Sequence, residues 1–233
     1  EDTLHRMFPG IRVLRMDADT TRKKDSFDKI LSAFAGGEAD VLLGTQMIVK
    51  GHDFPAVTLV GVLAADLSLG AGDYRAGERT FQLLTQAAGR AGRGKKPGEV
   101  VIQTYQPEHH SIRYAAAQDY KGFYQEEIGY RELMSYPPAA AMLAVLVLAK
   151  EQKKGETLAG KLAEVASQEE IRIIGPAQAA IARLGDIYRS VFYVKSASMQ
   201  RLIAVKDMLE AYLEQNKVQN TAVQFDFDPL IGY

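Results

Sequence analysis

The sequence predicts an α/β protein in two parts, and two patterns carry this prediction. In the first half, short apolar runs alternate with amphipathic segments, an order typical of a parallel sheet with helices on its faces. In the second half the order is β-α-β-β-α-β, the split-βαβ arrangement of ferredoxin-like domains. We expect an α/β lobe over residues 1–106, a bridging helix and linker over 107–138, and a small α+β domain over 139–233.

The first half contains four candidate strands and two candidate helices. Apolar runs place the strands at residues 11–16, 41–44, 57–63 and 99–104. The first helix has Thr21 as its cap and Gly36-Gly37 as its stop. Its apolar stripe consists of Phe27, Ile30, Leu31 and Phe34. The second helix is predicted to begin after Asp73 and to end at Gly94.

In the second half, a long helix is predicted over residues 108–131, and it must end before Pro137-Pro138 because proline lacks the helical N–H. The strands of the α+β domain are predicted at residues 142–149, 171–174, 187–195 and 222–227, and its helices at 156–167 and 197–214. Both of these helices have a clean apolar stripe.

Composition limits the classes of function. With 233 residues and 47% hydrophobic residues, the chain has enough material for two modest cores. The formal net charge of −1 argues against a wholly basic surface, so any contact with nucleic acid must be local. The absence of cysteine excludes disulfides and thiolate metal sites. The sequence has no membrane-length apolar run and no signal-peptide pattern, so we expect a cytoplasmic protein with no membrane contact.

The most informative segment is the octapeptide Gln-Ala-Ala-Gly-Arg-Ala-Gly-Arg at residues 86–93. At about 100° per helical residue, Gln86, Gly89, Arg90 and Arg93 fall within a narrow arc of one helix face. An amide and two guanidinium groups would then converge, which outlines a site for an anion. Glycine costs roughly 1 kcal/mol relative to alanine inside a helix, so a close approach of backbone or ligand is expected here. The alternative is that the arginines only complement the helix dipole.

A second candidate segment follows the predicted buried strand at residues 41–44. It reads Thr-Gln-x-x-x-x-Gly-x-Asp-x-Pro over residues 45–55. Open α/β sheets bind ligands at the carboxyl ends of their strands, which is where this segment lies. In the alternative reading, Asp53 only caps a turn and Pro55 only ends it.

Both segments resemble conserved motifs of superfamily 2 helicases and translocases. The octapeptide resembles the arginine-rich signature of the second RecA-like lobe, which in that family faces a triphosphate bound by the first lobe. The resemblance implies that Gln86 and Arg90 line the nucleotide cleft and that Arg93 is the arginine finger, so these three are the candidate catalytic residues. A planar guanidinium suits this role because it keeps its charge and forks onto phosphoryl oxygens.

The segment at residues 45–55 resembles helicase motif V. The resemblance implies a DNA side and an ATP side. On the DNA side lie Thr45, Gln46 and Lys50. On the ATP side lie Gly51 and Asp53. The first half of the chain is then expected to be a second RecA-like lobe that is slightly truncated at its N-terminus.

Further stretches resemble the PriA family of primosomal replication-restart helicases. They are residues 66–85, 98–104, 136–138, 175–177 and 181–184. The resemblance extends over nearly the whole chain and implies the C-terminal part of a bacterial helicase that acts in replication restart and primosome assembly. In the full-length protein, ATP hydrolysis is expected to drive 3′ to 5′ translocation. The implied partners are DNA forks, single-stranded DNA, single-strand-binding protein and other primosome proteins, and a monomer is expected.

No Gly-x-x-x-x-Gly-Lys-Thr phosphate loop occurs in the sequence. ATP and Mg²⁺ are therefore expected to be bound mainly by a first lobe outside this chain, and this chain alone is not expected to hydrolyse ATP. The family also carries a cysteine-rich zinc module, so Zn²⁺ belongs to the full-length protein and no metal site is expected here. Two alternatives stay open. One is a non-enzymatic scaffold that binds DNA or protein, and the other is a different superfamily 2 motor.

A basic and aromatic cluster is predicted near the third strand of the α+β domain. Its basic members are Arg183, Arg189 and Lys195, interleaved with Tyr188, Phe192 and Tyr193. Such a pattern can hold single-stranded nucleic acid by charge and stacking. In the PriA family this region is associated with DNA and with single-strand-binding protein. The alternatives are a protein contact and an ordinary half-exposed strand whose aromatic rings pack in the core.

The remaining polar candidates are weak. His109-His110 is expected to be a surface pair, because adjacent residues cannot point both rings to one side of a helix. Asp17 and Asp19 are expected to be turn residues at the end of a strand rather than a metal pair.

Overall fold

The computed structural model describes residues 1–17, 19–21, 26–49, 54–71, 73–94, 96–218 and 221–233. The chain forms two compact units. The first unit contains Glu1–Leu69 and Glu78–Tyr120, and the second contains Gly70–Gly77 and Lys121–Tyr233. The chain thus enters the second unit briefly at Gly70 before it returns to the first. Within the described residues, no helix has both the length and the apolar character needed to cross a membrane.

The first unit has the alternating order of strands and helices that the sequence predicts. Its strands are β1 (Val13–Met16), β2 (Val41–Gly44), β3 (Leu59–Val62) and β4 (Glu99–Ile102). Its helices are α1 (Asp2–Met7), α2 (Ser26–Ala35), α3 (Ala76–Ala88, which starts in the second unit) and α4 (His110–Ala116). β1 pairs in parallel with β2, and β3 in parallel with β4. The parallel pairing is confirmed, but among the described residues the strands form two separate two-stranded sheets.

Two helix predictions are wrong at their boundaries. α3 ends at Ala88 and not at Gly94, because the chain leaves the helix in a turn that contains Gly92 at φ +74°. The long helix predicted over residues 108–131 is two helices, α4 and α5 (Tyr120–Met134). The break lies at Gln118, whose φ of +54° is incompatible with a continuous α-helix.

The second unit contains an antiparallel sheet with two helices. After α5 come β5 (Ala141–Ala149), α6 (Gln152–Ala166), β6 (Arg172–Leu184), β7 (Ile187–Ser196), α7 (Met199–Gln215) and β8 (Thr221–Phe227). The strand order is β6-β7-β5-β8. β6 is much longer than the predicted strand at residues 171–174, because irregularities after Ile174 and Gln178 let it continue beside β7.

Both faces of this sheet are covered. On one face, α6 and α7 pack Leu162, Leu202 and Leu209 against Val145 and other apolar side chains of the strands. On the opposite face, Tyr233 packs against a smaller cluster formed by Leu146, Ala179 and Val191. Burial on both faces explains why the central strand β5 is an unbroken apolar run and does not alternate with polar residues.

Candidate functional site

The arginine motif lies at the end of α3 and in the turn that follows it. Gln86 is exposed in the last helical turn, Arg90 is half-buried, and Arg93 is exposed. The prediction that the motif forms one helix face is wrong, since the helix stops at Ala88. The turn nevertheless folds back, because the Arg93 Nε–H donates to the Gly89 carbonyl at 2.6 Å.

Three glycines hold this turn against neighbouring backbone. A Cβ on Gly92 would lie 2.7 Å from the nitrogen of Gly98, and a Cβ on Gly98 would overlap the backbone of Gly92. A Cβ on Gly94 would overlap the carbonyl of Pro55. The close approach that the sequence predicts is therefore one of backbone to backbone, and it is located at Gly92 and Gly94. At Gly89 a Cβ would meet nothing closer than 3.5 Å.

The end of the motif V segment lies beside the arginine motif. The Gly92 N–H donates to the Val57 carbonyl at 3.1 Å, and Gly94 touches Pro55. Nearby, the Glu99 N–H donates to the Thr58 carbonyl at 2.8 Å and begins β4. Residues 55–58 are thus fixed between the arginine motif and β4. The fold thus brings the arginine motif close to the end of the motif V segment.

The start of the motif V segment lies at the carboxyl end of β2, as predicted. Gly44 ends the strand in close contact with the Met16 carbonyl, where a side chain would not fit. Thr45 and Gln46 follow and are exposed, and Gln46 begins a short 3₁₀ helix, Gln46–Val49. The predicted site residues Lys50, Gly51 and Asp53 lie outside the described residues.

Two of the three basic candidates in the second unit lie at the β6–β7 hairpin. The Arg183 guanidinium stacks 5.1 Å from the centre of the Tyr188 ring, and its Nε–H donates to the Gly185 carbonyl at 2.9 Å. Arg189 Nη1 donates to the Ile181 carbonyl at 3.3 Å. Arg183 and Tyr188 therefore form one surface at this end of the hairpin, and Arg189, the next residue of β7, points to the opposite face of the sheet.

Lys195 does not lie at this end of the hairpin, and its contact with DNA stays a prediction. It pairs with Arg172 at the far end of β6, and only 3% of the residue is exposed. Its Nζ donates to the Met134 carbonyl at 3.0 Å and lies 3.2 Å from the centre of the Tyr136 ring. Burial lowers the pKa of Lys195 to about 8, with a further contribution from the charge of Arg172.

Sequence reasoning missed the role of Asp66. This carboxylate accepts hydrogen bonds from the Thr104 hydroxyl at 2.6 Å and from the backbone N–H groups of Tyr105 and Gln106. The Thr104 hydrogen bond, followed by the one from Tyr105, lowers the pKa of Asp66. Asp66 thus fixes the chain after β4 to the segment after β3. Its position three residues after a predicted strand was the available signal, shared with many turn residues.

The weaker candidates are structural. Asp17 Oδ1 accepts hydrogen bonds from the N–H groups of Asp19 and Thr20 at 3.0 Å each, which confirms a strand-end turn. His109 caps α4, since its Nδ1 accepts a hydrogen bond from the Ser111 N–H at 3.2 Å. Thr21, expected to cap α2, instead donates its hydroxyl to the Asp17 carbonyl at 2.6 Å.

Two family models match the chain. The helicase conserved C-terminal domain matches residues 1–95, and the primosomal protein N C-terminal domain matches residues 132–230. The first match contains both motif segments, and the second contains the sheet of the second unit. The fold and the paired motifs thus define the class as the C-terminal lobe of a helicase.

Curated relatives specify the family. Replication restart protein PriA of Bacillus subtilis is 45% identical over 98% of this chain, and that of Synechocystis is 39% identical over 98%. The Chlamydia trachomatis protein is 38% identical over 100% of the chain. The chain belongs to the PriA family and corresponds to the C-terminal part of these relatives. It spans 29%, 27% and 31% of their respective lengths.

The glycine contacts predict a difference in stability between two substitutions in the same motif. Gly92→Ala is expected to lower the free energy of unfolding by about 1–3 kcal/mol, because it adds a side chain at positive φ against backbone. Gly89→Ala is the matched control and is expected to change it by no more than about 1 kcal/mol. Urea denaturation followed by circular dichroism measures both. Equal effects of the two substitutions would contradict the backbone contact.

The buried lysine predicts a pH dependence of stability. The pKa of Lys195 falls from 10.5 to about 8 on folding, so between these pH values the unfolded chain binds a proton that the folded chain has lost. Stability is therefore expected to rise with pH from about 8, until the Tyr233 phenol, whose pKa rises from 10.0 to about 12, reverses the trend above pH 10.

The measurement is the Tm of the wild type and of Lys195→Met between pH 7.5 and 9.5. Between pH 7.5 and 9.5, the Tm of the wild type is expected to rise by at least about 2 °C more than the Tm of Lys195→Met. Lys161→Met, at an exposed position of α6, should follow the wild-type profile. Parallel profiles for the wild type and Lys195→Met would show that Lys195 does not titrate in this range.

Proposed function

We propose that the chain is the C-terminal part of an ATP-dependent DNA helicase that acts in replication restart and primosome assembly. The observation that carries the proposal is the closeness of the two helicase-like segments. Gly92 of the arginine motif donates to Val57, two residues after the motif V segment, and Gly94, just after the arginine motif, lies against Pro55 at the end of that segment. A nucleotide response must be transmitted from a phosphate-sensing arginine to a DNA-gripping segment, and the closeness of these two segments offers a short route for it. The names of the PriA relatives support the role in replication restart.

In this proposal the arginine motif senses the nucleotide. Arg93 is the arginine finger on the γ-phosphate, and Arg90 and Gln86 line the cleft. Arg93 is exposed, and its Nε is fixed to the Gly89 carbonyl, so the guanidinium is oriented before it meets a ligand. Orientation in advance lowers the entropy cost of engaging a phosphoryl group. Gly51 and Asp53 belong to the same ATP side.

The nucleotide itself is held mainly by another part of the full-length protein. The sequence has no phosphate loop, so ATP and Mg²⁺ are bound by a first lobe and Zn²⁺ by a separate module. The described residues can supply Arg93 and Arg90 to the phosphates but no lysine of a phosphate loop. The chain by itself therefore does not hydrolyse ATP.

DNA is gripped at two places. Thr45, Gln46 and Lys50 contact the phosphate backbone at the carboxyl end of β2, and motion of the lobe during ATP turnover moves the strand 3′ to 5′. The second place is the β6–β7 hairpin, where Arg183 and Tyr188 lie on one face and Arg189 lies on the other. DNA forks, single-stranded DNA, single-strand-binding protein and other primosome proteins are the proposed partners of a cytoplasmic monomer.

The second unit is proposed to be a ferredoxin-like domain. Its element order β-α-β-β-α-β, its all-antiparallel sheet and its strand order β6-β7-β5-β8 support this assignment. The proposed domain limits are residues 1–106 for the RecA-like lobe, 107–138 for the bridge and 139–233 for the ferredoxin-like domain.

The test of the proposed mechanism is Arg93→Ala in the full-length protein. Loss of the finger is expected to lower DNA-stimulated ATP turnover by about 10³-fold and to abolish unwinding, while DNA affinity stays within about twofold. Arg6→Ala, an exposed arginine of α1, is the control and should behave as the wild type. Unwinding near the wild-type rate would refute the role of Arg93. Wild-type protein that binds DNA without ATP turnover would favour a scaffold.

Arg189→Ala, at the β6–β7 hairpin, is expected to have the opposite effect to Arg93→Ala. DNA binding is expected to weaken, and the slope of log K against log salt to become shallower by roughly 0.7–0.9, the value for one phosphate contact. ATP turnover at saturating DNA should be retained. Fluorescence anisotropy across a salt series measures the slope, with Lys161→Ala on α6 as a control for the loss of one positive charge. An unchanged slope would remove the hairpin from the DNA path.

A further inference from the structure

Two positively charged side chains lie directly opposite each other at the end of the β6–β7 pair that is away from the hairpin. Arg172 and Lys195, which we call the cation pair, are register partners in this antiparallel pair, so their side chains project from the same face of the sheet. This face is opposite to α6 and α7, because the adjacent residues Ile173 and Val194 pack in the core beneath those helices. Both cations belong to the second unit.

In the part of the chain that the structure describes, neither member of the cation pair forms an ion pair with a carboxylate. The nearest carboxylate along the chain from Arg172 is that of Glu170, which is paired with Arg201. Like charges that face each other across a strand pair destabilise it. Burial, and after it the charge of Arg172, lowers the pKa of Lys195 to about 8. The cation pair therefore weakens the fold at this place.

The Lys195 ammonium has one donor more than its surroundings use. It has three N–H groups, and the residue is only 3% exposed. The Met134 carbonyl accepts one of them at 3.0 Å, and the face of the Tyr136 ring, centred 3.2 Å from Nζ, takes a second. Among the described residues there is no acceptor for the third. A buried charged donor without an acceptor is costly, and a bound anion would supply one.

A phosphate group has the chemistry that fits the cation pair. It has several acceptor oxygens, so one can accept from the guanidinium fork while another accepts from the ammonium. Arg172 is exposed and Lys195 is covered, so a ligand approaches from the side of Arg172. Arg189 lies on the same face of β7, roughly 20 Å from Lys195 at about 3.3 Å per residue. A ligand with several phosphates can contact both places, which favours a DNA strand over a free phosphate.

We propose that Arg172 and Lys195 together bind one phosphate group of a DNA strand. Arg172 contacts the phosphate from the solvent side, and Lys195 contacts it from the interior. The inference rests on the proposed function for the choice of DNA as the ligand. It deepens that function, because it adds a DNA contact at Arg172, which lies outside both helicase motifs and outside the hairpin.

The first experiment measures binding of single-stranded DNA to the full-length protein across a salt series. Arg172→Ala is expected to raise the Kd by about three- to tenfold and to make the slope of log K against log salt shallower by roughly 0.7, the value for one phosphate contact on a single strand. Arg172→Lys keeps the charge and should keep the slope. Lys161→Ala, on α6 at the other face of the sheet, is the matched control for the loss of one charge. An unchanged slope in Arg172→Ala would overturn the inference.

The pH dependence of the same binding tests the contact with Lys195. Without DNA, the pKa of Lys195 is about 8, and a bound phosphate raises it, so binding takes up a proton as the pH passes through this range. The affinity is therefore expected to fall between pH 7 and 9.5. The Kd of the wild type should rise at least about threefold more than that of Lys195→Met. Lys161→Met should follow the wild type, and parallel profiles for the wild type and Lys195→Met would overturn the contact.

This pH test depends on the groups around Lys195. Its charged and titratable neighbours are Arg172 on β6, Tyr136 after α5, Tyr193 on β7 itself, and Asp228, which is bonded to the backbone of the adjacent Met142 on β5. Arg172 stays charged throughout the range, and the usual pKa of a carboxyl group lies far below it. The Lys195→Met comparison removes the contribution of the lysine and keeps those of its neighbours.

Thermal stability gives a readout that does not involve DNA. Arg172→Ala removes the charge that faces Lys195, so the Tm without DNA is expected to stay the same or to rise. A lower Tm would show that Arg172 stabilises the fold and would overturn the uncompensated repulsion on which the inference stands.

Inorganic phosphate alone distinguishes a free anion from a DNA strand. At about 20 mM phosphate, compared with chloride of equal ionic strength, the Tm of the wild type should change no more than the Tm of Arg172→Ala. A larger rise in the wild type, with unchanged DNA binding in Arg172→Ala, would overturn DNA as the ligand and assign the site to free phosphate. A wild-type protein that does not bind DNA would overturn the proposed function, and the phosphate series would then decide whether the cation pair binds an anion.

Discussion

The turn after α3 depends on one steric constraint, the contact of bare backbone at Gly92, Gly94 and Gly98. No side chain fits between Gly92 and Gly98, and none fits between Gly94 and Pro55. The hydrogen bond of the Gly92 N–H alone would not fix this geometry, because any single nearby acceptor can satisfy one N–H group. Because any Cβ would overlap the facing backbone, only glycine allows the two backbone segments to lie this close. The glycines therefore set the distance between the arginine motif and the end of the motif V segment. The signature glycines therefore serve packing first.

Because of this constraint, the octapeptide is held as a turn and not as the helix face that the sequence predicts. On a helix, Arg90 and Arg93 would be placed by the 3.6-residue repeat, and their side chains would remain free to choose rotamers. In the turn, the Nε of Arg93 is bound to the Gly89 carbonyl, which removes part of that freedom. A guanidinium that is oriented before it meets an anion loses less entropy on binding. The turn is thus better suited than a helix to hold an arginine finger.

Local patterns predicted the elements well, and long-range contacts decided what the patterns missed. The parallel pairs of the first unit and the order of elements in the second follow from apolar runs, because both patterns are visible within a few residues. The break at Gln118 and the end of α3 at Ala88 were missed, since each depends on a backbone conformation that sequence spacing does not encode. The strand predicted at residues 171–174 is shorter than β6, because Gly175-Pro176 resembles a strand end although the strand continues past it.

The predictions for the candidate site divide in the same way, into those that follow from a local pattern and those that depend on long-range contacts. Thr45 and Gln46 were placed correctly at the end of a strand, because a buried apolar run defines where that strand ends. The surroundings of Lys195 were not predicted, because alternation along β7 indicates the face on which it lies but not what covers that face. Its cover comes from Met134 and Tyr136, about sixty residues earlier in the sequence. The sequence pattern of a basic residue among aromatic residues is the same whether the rings stack on a ligand or on the lysine itself.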